Sequence, residues 1–283
     1  MMFDPVSPPH VAAYRQSGFT VVRGVFNAAE IEELAAAFNR EYAIGMRHGR
    51  SFRHGNLLYR LGHDAALGPI VRLVQWPSYH DPVLNRFRLD RRMLQILAPL
   101  IGADCKQIIN QLHWKPPGAA MTDFAFHQDA RFRRPRTAFR DLANTYVQTG
   151  IAIDRHNRAS GGMRMLPGSH KLGDIDLVGK ASVADTAASE LVLREHGLNP
   201  RDLVDLELEP GDVALWNSFT IHGSGPNTTD RDRRLYINGY AAAASCDRGE
   251  WSFRDGKPCR LGAPVLVHYE ELYSRPEPHY IDN

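Results

Sequence analysis

The chain has 283 residues, of which 43% are hydrophobic and 23% charged, an ordinary composition for a water-soluble globular protein. A formal net charge of +2 excludes the strongly basic surface of a general nucleic-acid binder. No apolar run approaches the roughly 18 residues a membrane-spanning helix needs, and three scattered cysteines (Cys105, Cys246, Cys259) exclude a disulfide framework and a zinc knuckle. With no apolar segment in the first 14 residues to act as a secretion signal, a cytoplasmic protein is expected, one that meets a small molecule and neither nucleic acid nor membrane.

Residues 9–18 predict a short helix closed by Gly18. Residues 19–26 are β-branched and aromatic and predict a strand. Asn27, with Glu30 three residues on, has the pattern of a capping box. It opens a helix from Ala28 to about Ile44 whose Ile31, Leu34, Ala35 and Phe38 share one face. Residues 45–80 are rich in Gly, His and Arg without a clear period, and predict an irregular segment able to cover a site. Residues 82–101 predict a second helix, ended by Gly102.

From Cys105 onward the pattern turns to strands. Residues 106–114 form one, stopped by Lys115-Pro116-Pro117-Gly118. Residues 124–130 form another, followed by an arginine-rich loop over 131–140. Residues 146–154 alternate most regularly. Val147, Ile151 and Ile153 face covering helices, while Tyr146, Gln148, Gly150 and Ala152 face a barrel interior that holds a ligand. A short strand and turn over 161–170 precede an insertion over 171–203, with helix at 182–195. Strands at 203–208, 213–216, 219–222 and 234–242 close the series. No internal repeat or linker divides the chain. We read a single domain over 1–283: helical and strand support in 1–104, a barrel core in 105–245 and an extension in 246–283.

A His and an Asp two residues apart on a strand point the same way. His127 and Asp129 can therefore grip one metal ion, with His222 as a third ligand brought near when the barrel closes. Two imidazoles and one carboxylate leave other positions open and suit an Fe(II) that must bind further partners. Each residue is a weak signal alone, since His-x-Asp triplets arise by chance and lone strand histidines commonly just pack. Arg233 adds to the pattern. A guanidinium inside a barrel calls for an anion, which a dicarboxylate cosubstrate supplies with bidentate geometry. Arg231 and Asp232 read as solvated charges, and strand parity alone does not choose between Arg233 and Arg234.

Taken together in this order, the segments resemble the phytanoyl-CoA dioxygenase (PhyH-like) branch of the Fe(II)/2-oxoglutarate oxygenases. The resemblance runs from residues 18–26 and the following helix through Lys115-Pro116-Pro117-Gly118, His127-Gln128-Asp129 and Ala152-Ile153-Asp154. It continues through Gly161-Gly162, Leu166-Pro167-Gly168-Ser169-His170, Pro210-Gly211-Asp212 and residues 222–227, leading to Arg233. It implies a mainly β fold with flanking helices and a double-stranded β-helix (jelly-roll, cupin-like) core. It also implies His127, Asp129 and His222 as ligands of Fe(II), 2-oxoglutarate as cosubstrate and O2 as oxidant, with succinate and CO2 released. Arg233 and Ser224 would bind the distal carboxylate of the cosubstrate, with Arg234 as the fallback. Gln111 and His113, which share a strand face, are further candidate cosubstrate contacts with structural packing as an equal alternative; Gln148 is another candidate.

The presence of Asp129 sets the chain apart from related halogenases, where a small residue makes room for chloride. Gly150, bulkier in relatives, would widen the pocket, and His170 reads as structural. For the substrate, Arg131 in the basic loop fits a carboxylate, phosphate or CoA group, or is simply solvated. Phe132, Tyr146 and Trp216 would supply pocket walls. The resemblance implies hydroxylation, or another oxidation, of an unactivated C–H in a small to medium metabolite: a natural-product intermediate, an amino-acid derivative or an acyl thioester. Two other classes compete: a catalytically silent metal-binding jelly roll that binds a ligand or partner, and a zinc hydrolase. Succinate formation separates them. Monomer and homodimer both remain open.

Overall fold

The computed structural model describes residues 8–119, 124–177, 186–265, 275 and 277–281. Helix α1 (Pro8–Ser17) leads into strand β1 (Phe19–Val22) and helix α2 (Ala28–His48). A meander of β2 (Phe52–His54), β3 (Leu57–Asp64) and β4 (Gly68–Gln75) follows, then α3 (Pro82–Arg88) and α4 (Arg91–Ile101). Next come β5 (Cys105–Lys115), β6 (Phe124–His127), the single turn α5 (Leu142–Thr145), β7 (Tyr146–Ala152), β8 (Met163–Met165) and α6 (Thr186–Glu195). Strands β9 (Val204–Asp205), β10 (Val213–Trp216), β11 (His222–Ser224), β12 (Arg233–Ala242) and β13 (Glu250–Arg254) complete the path.

Two antiparallel sheets enclose a cavity. The larger runs β1-β10-β7-β12-β5-β4-β3-β2, and the smaller runs β6-β11-β8-β9. This is the expected mainly β, jelly-roll core. Helices α2, α3 and α4 cover the outer face of the large sheet. The capping box is formed: Asn27 Oδ1 accepts from the Glu30 amide (3.0 Å) and Glu30 accepts from the Asn27 amide (2.8 Å). It starts α2 with Leu34 and Phe38 fully buried, each worth about 1.5–3 kcal/mol of apolar burial. Phe38 lies edge-on to Trp114 and Tyr236 of the sheet. Val147, Ile151 and Ile153 join the same apolar cluster as α2, α3 and α4, as the alternation of β7 predicts.

Several expectations are corrected. Residues 45–80 are not an irregular cover. The helix continues to His48, Gly49 ends it in the left-handed region (φ +70°), and β2–β4 extend the large sheet. Their period is hidden because the β3–β4 register shifts between Arg60 and Leu61, which breaks the alternation a sequence would show. The predicted helix over 82–101 is two, because Asp81 and Asp90 each cap a separate N-terminus through their side chains. Strands expected at 19–26, 146–154 and 203–208 are shorter, and that at 219–222 is displaced to β11. The start of the helix predicted at 182–195 lies outside the described residues. The region read as an extension adds β13 to the edge of β5. Among the described residues, no helix is long and apolar enough to cross a membrane.

The meander is tied to α2 by a buried carboxylate. Glu41, 1% exposed, accepts a 2.6 Å hydrogen bond from the Tyr59 hydroxyl and lies 3.0 Å from His80 Nε2. The bond to Glu41 raises the His80 pKa against the opposing effect of burial. A folded-state pKa above the unfolded value contributes stability that is fully present below about pH 6.5 and lost as pH rises through the folded value. Glu41→Gln removes the cause of the shift. The stability difference between wild type and this variant should therefore be larger at about pH 5.5 than at about pH 8.5 in urea unfolding. Parallel pH profiles for the two proteins would sink the coupling.

Candidate metal centre

Strand β6 ends at His127, and Asp129 opens a one-turn 3-10 helix, Asp129–Phe132. The two ligands therefore converge through a turn and not, as predicted, through the period of one strand. Gln128 between them causes the departure. It is buried, its amide nitrogen donates to the carbonyls of Gly173 (2.8 Å) and Phe219 (2.7 Å), and its oxygen accepts from the Ile175 amide (2.8 Å). The Ala130 amide bonds to the Ser218 carbonyl (2.8 Å), which closes the turn onto the segment leading to β11. His222 opens β11 directly opposite His127 in the β6–β11 register, with the imidazole centroids 4.4 Å apart.

Each imidazole is oriented by the carbonyl two residues before it. His127 Nδ1 lies 2.7 Å from Ala125 O, and His222 Nδ1 lies 2.9 Å from Thr220 O. A carbonyl oxygen only accepts, so both Nδ1 atoms carry the proton and both Nε2 lone pairs are free. These face Asp129: His127 Nε2 is 3.7 Å from Oδ1 and His222 Nε2 is 3.8 Å from Oδ2. The three ligand atoms lie within 4.8 Å of one another. The Trp216 indole N–H donates to Asp129 Oδ2 at 2.8 Å, fixing the carboxylate from behind.

Burial and the neighbouring His127 push the His222 pKa down to about 4. Burial works against ionisation of Asp129, but the neighbouring His222 and His127 and the Arg133 guanidinium together hold its carboxyl below the usual range. An ionised carboxylate and convergent imidazole lone pairs, with no proton between them, fit a divalent cation. They fit Fe(II) in particular, because three protein ligands leave open positions.

The triad stands in the wall of a cavity of about 400 Å³. Gln111, His113, Gln148, Trp216, Ser224 and Arg233 line it, as do Arg131 and Phe132 near its mouth. Leu73 and Gln75 of β4 complete a wall that the sequence had suggested as a cover. Arg233 is buried, with Nη2 on the Gly161 carbonyl (2.9 Å). Arg234 points to the opposite face of β12 and pairs with Asp154 at 2.9 Å. Trp216 lines the cavity as expected, with its N–H on Asp129. Two expectations are not met. Tyr146 is not a pocket wall; it lies beneath the lining, its hydroxyl donating to Gln148 Oε1 at 2.5 Å. Gly150 does not widen the pocket, because the Leu235 side chain fills the space over it. His170 caps α1 through the Arg15 carbonyl, a structural role.

Two cations went unnoticed in the sequence. Lys115 is 1% exposed and its Nζ donates to Ser224 Oγ (2.8 Å) and to Gly225 O. It continues the Gln111, His113 face of β5, a signal masked by reading Lys115-Pro116 as the end of the strand. Arg133 is buried in the cavity wall. It had been read only as part of the arginine-rich loop over 131–140, either anion-binding or solvated; Arg136 and Arg140 of that loop do sit in exposed ion pairs with Asp174 and Asp247.

The sequence matches the family described as phytanoyl-CoA dioxygenase (PhyH) over residues 14–235. A probable alpha-ketoglutarate-dependent hypophosphite dioxygenase of Stutzerimonas stutzeri is 24% identical over 243 residues, covering 81% of this chain and 77% of that protein. A 2-aminoethylphosphonate dioxygenase of an uncultured bacterium (HF130_AEPn_1) is 23% identical over 243 residues, covering 86% and 84%. The fold is shared with the epimerase SnoN of nogalamycin biosynthesis, solved with Fe3+ and alpha ketoglutarate. The TM-score is 0.58 at 24% identity, covering 91% of this chain and 94% of that one.

Trp216→Phe keeps the ring and removes the N–H on Asp129. Loss of such an outer hydrogen bond should weaken Fe(II) binding by about 10- to 100-fold in an anaerobic titration. Unchanged affinity would mean that the indole only packs.

Proposed function

The chain belongs to the phytanoyl-CoA dioxygenase (PhyH) family, whose members here are alpha-ketoglutarate-dependent dioxygenases, and on that premise we propose that it oxidises an unactivated C–H of a small metabolite. His127, Asp129 and His222 would hold Fe(II), and Arg233 with Ser224 would hold the distal carboxylate of 2-oxoglutarate. When bound, the metal and cosubstrate supply oxidation of the C–H by O2, with succinate and CO2 as products. The observation that carries the reading is the presence, in one cavity, of both the three-ligand centre and a buried guanidinium at the far end of β12.

The protein's part is to bind, orient and keep water out. Arg233 and Lys115 occupy paired positions on β12 and β5, so two cations flank the Ser224 hydroxyl. Ser224 Oγ accepts from Lys115, which frees its own O–H to donate to a carboxylate. His113 between this end and the metal is pushed down to about 3, by burial first and by Arg233 next, so it stays neutral and adds no competing charge. Ile109, Phe124, Met163, Leu235 and Ile237 give the cavity apolar walls. A volume of about 400 Å³ suits cosubstrate plus a small metabolite, in line with the hypophosphite and aminoethylphosphonate named for the relatives, and speaks against a bulky acyl-CoA. Three free cysteines, Cys105 and Cys246 buried, accord with a reducing, cytoplasmic setting.

Anaerobic addition of Fe(II) and then 2-oxoglutarate should give a charge-transfer band, and air should then release succinate slowly without substrate. Asp129→Ala should abolish the band and succinate release while leaving the fold intact by circular dichroism; full activity in that variant would remove the triad assignment. Arg233→Ala should raise the 2-oxoglutarate needed for half-maximal succinate release by about 30-fold or more, the cost of stranding a buried charge partner. An unchanged requirement would move the cosubstrate elsewhere. Bound iron with neither band nor succinate would make the protein a silent binder.

A further inference from the structure

The cavity has a second cationic end. The β7–β12 register sets Gln148 opposite Gly239, and the β5–β12 register sets Lys115 opposite Arg233. Gly239 and Arg233 are six residues apart on one strand, about 20 Å at the rise of an extended chain. At the Gly239 end, Arg133 lies with its guanidinium 4.8 Å over the Tyr146 ring and its Nη2 3.4 Å from Gln148 Oε1. The Tyr146 hydroxyl donates to the same oxygen. Gly239 is required here: a Cβ at that position would collide with the Tyr146 hydroxyl and the Gln148 amide.

This stack turns one end of the cavity into a donor-only surface. Gln148 Oε1 is engaged from behind, so the amide presents its NH2 group, beside a guanidinium that is 2% exposed. The metal triad stands close to it, since Trp216, paired with Gln148 across β7–β10, holds Asp129. Ile109, opposite Gly239, and Ile237, two residues from it on β12, form the apolar wall next to the stack. The distal carboxylate of a cosubstrate seated at Arg233 cannot also reach this end.

We propose that Arg133 and Gln148 form the anchor for an oxyanion carried by the substrate. The substrate class is then a small aliphatic carboxylate or phosphonate, its anionic head on Arg133 and its hydrocarbon part along Ile109 and Ile237, turned to the metal. The inference rests on the reading that the cosubstrate takes the Arg233 end. A guanidinium supplies paired parallel donors to either head group, and it binds them strongly where water is excluded.

The test is calorimetric binding of pentanoate, propylphosphonate and neutral pentanamide, anaerobically, with and without Fe(II) and 2-oxoglutarate. Wild type should bind at least one of the two anions and not the amide, and the better anion identifies the head group. Arg133→Gln should weaken anion binding by about tenfold or more, with 2-oxoglutarate affinity within about twofold of wild type. Arg133→Lys should fall between, because it keeps charge and loses the fork. Since Arg133 is buried, Gln148→Glu provides a variant that retains it: the new carboxylate pairs with the guanidinium and should exclude both anions. Anion binding unaffected by Arg133→Gln and by Gln148→Glu overturns the proposal, as does a wild type that binds neither anion. A rise in the 2-oxoglutarate dissociation constant of Arg133→Gln equal to that of Arg233→Gln also overturns it, by placing cosubstrate at this end. Anion binding that depends on Arg133 in a protein giving no charge-transfer band would uphold this site and discard the oxygenase reading instead.

Discussion

The ionised carboxylate of Asp129 is the charge around which the site is arranged. Taking a carboxylate out of water is costly unless it is paired and hydrogen-bonded. Here the indole of Trp216 bonds one oxygen, and the Arg133 guanidinium supplies a favourable field. The same polarisation appears in the histidines. Each gives its Nδ1 proton to the carbonyl two residues earlier, so both present a lone pair to the point where the carboxylate also aims. Lone pairs and negative charge crowded together are unfavourable among themselves, and a divalent cation resolves the conflict. The backbone therefore prepares the ligands before metal arrives, through one carbonyl on β6 and one just before β11, with His127 and His222 held opposite each other by β6–β11 pairing.

Strand β12 orders the Arg233 end of the cavity as β6 and β11 order the metal ligands. Arg233, Leu235 and Ile237 line the cavity, whereas Arg234 faces Asp154 and Tyr236 lies under the covering helices. A slip of one residue would exchange these faces and put the wrong arginine inside. The register is held from behind by a buried polar network. Asn110 donates to the Tyr236 hydroxyl (2.6 Å) and to Asn238 Oδ1 (2.9 Å), Gln107 donates to Asn238 Oδ1 (2.6 Å), and Arg88 of α3 donates to Gln107 Oε1 (2.8 Å). A buried network of this kind favours one arrangement, since a slip would leave more of its groups unpaired.

The legible and illegible parts of the sequence follow from the range of the forces involved. The capping box at Asn27, the apolar stripe of α2 and the helix-facing side of β7 are local, and each formed as read. The fold and the triad were legible because several short motifs occurred in the right order. Where the sequence misled, the cause was non-local. The bulge in β3 erased the period of the meander, and Gln128 turned Asp129 off its strand by bonding three distant backbone groups. Lys115 was hidden by the prolines after it, and Arg133 by the exposed arginines on either side. Composition cannot show that Arg133 of the five loop arginines is the one buried; the stack on Tyr146 and the bare backbone at Gly239 decide that.

The distribution of charge has a consequence for how strongly each end of the cavity draws an anion. Lys115 and Arg233 at one end and Arg133 at the other outweigh the single carboxylate of the triad even before a divalent metal is added. His113 records the resulting field, held neutral by burial and by Arg233. In a low-dielectric cavity such an excess attracts anions strongly and at both ends. The end beside Ser224 has two cations and suits a dianion, such as the cosubstrate proposed for it. The Arg133 end has a single guanidinium and draws an anion less strongly than the end with two cations. On the proposed assignment of the two ends, the dianionic cosubstrate is drawn more strongly than a monoanion, and this difference needs no moving part.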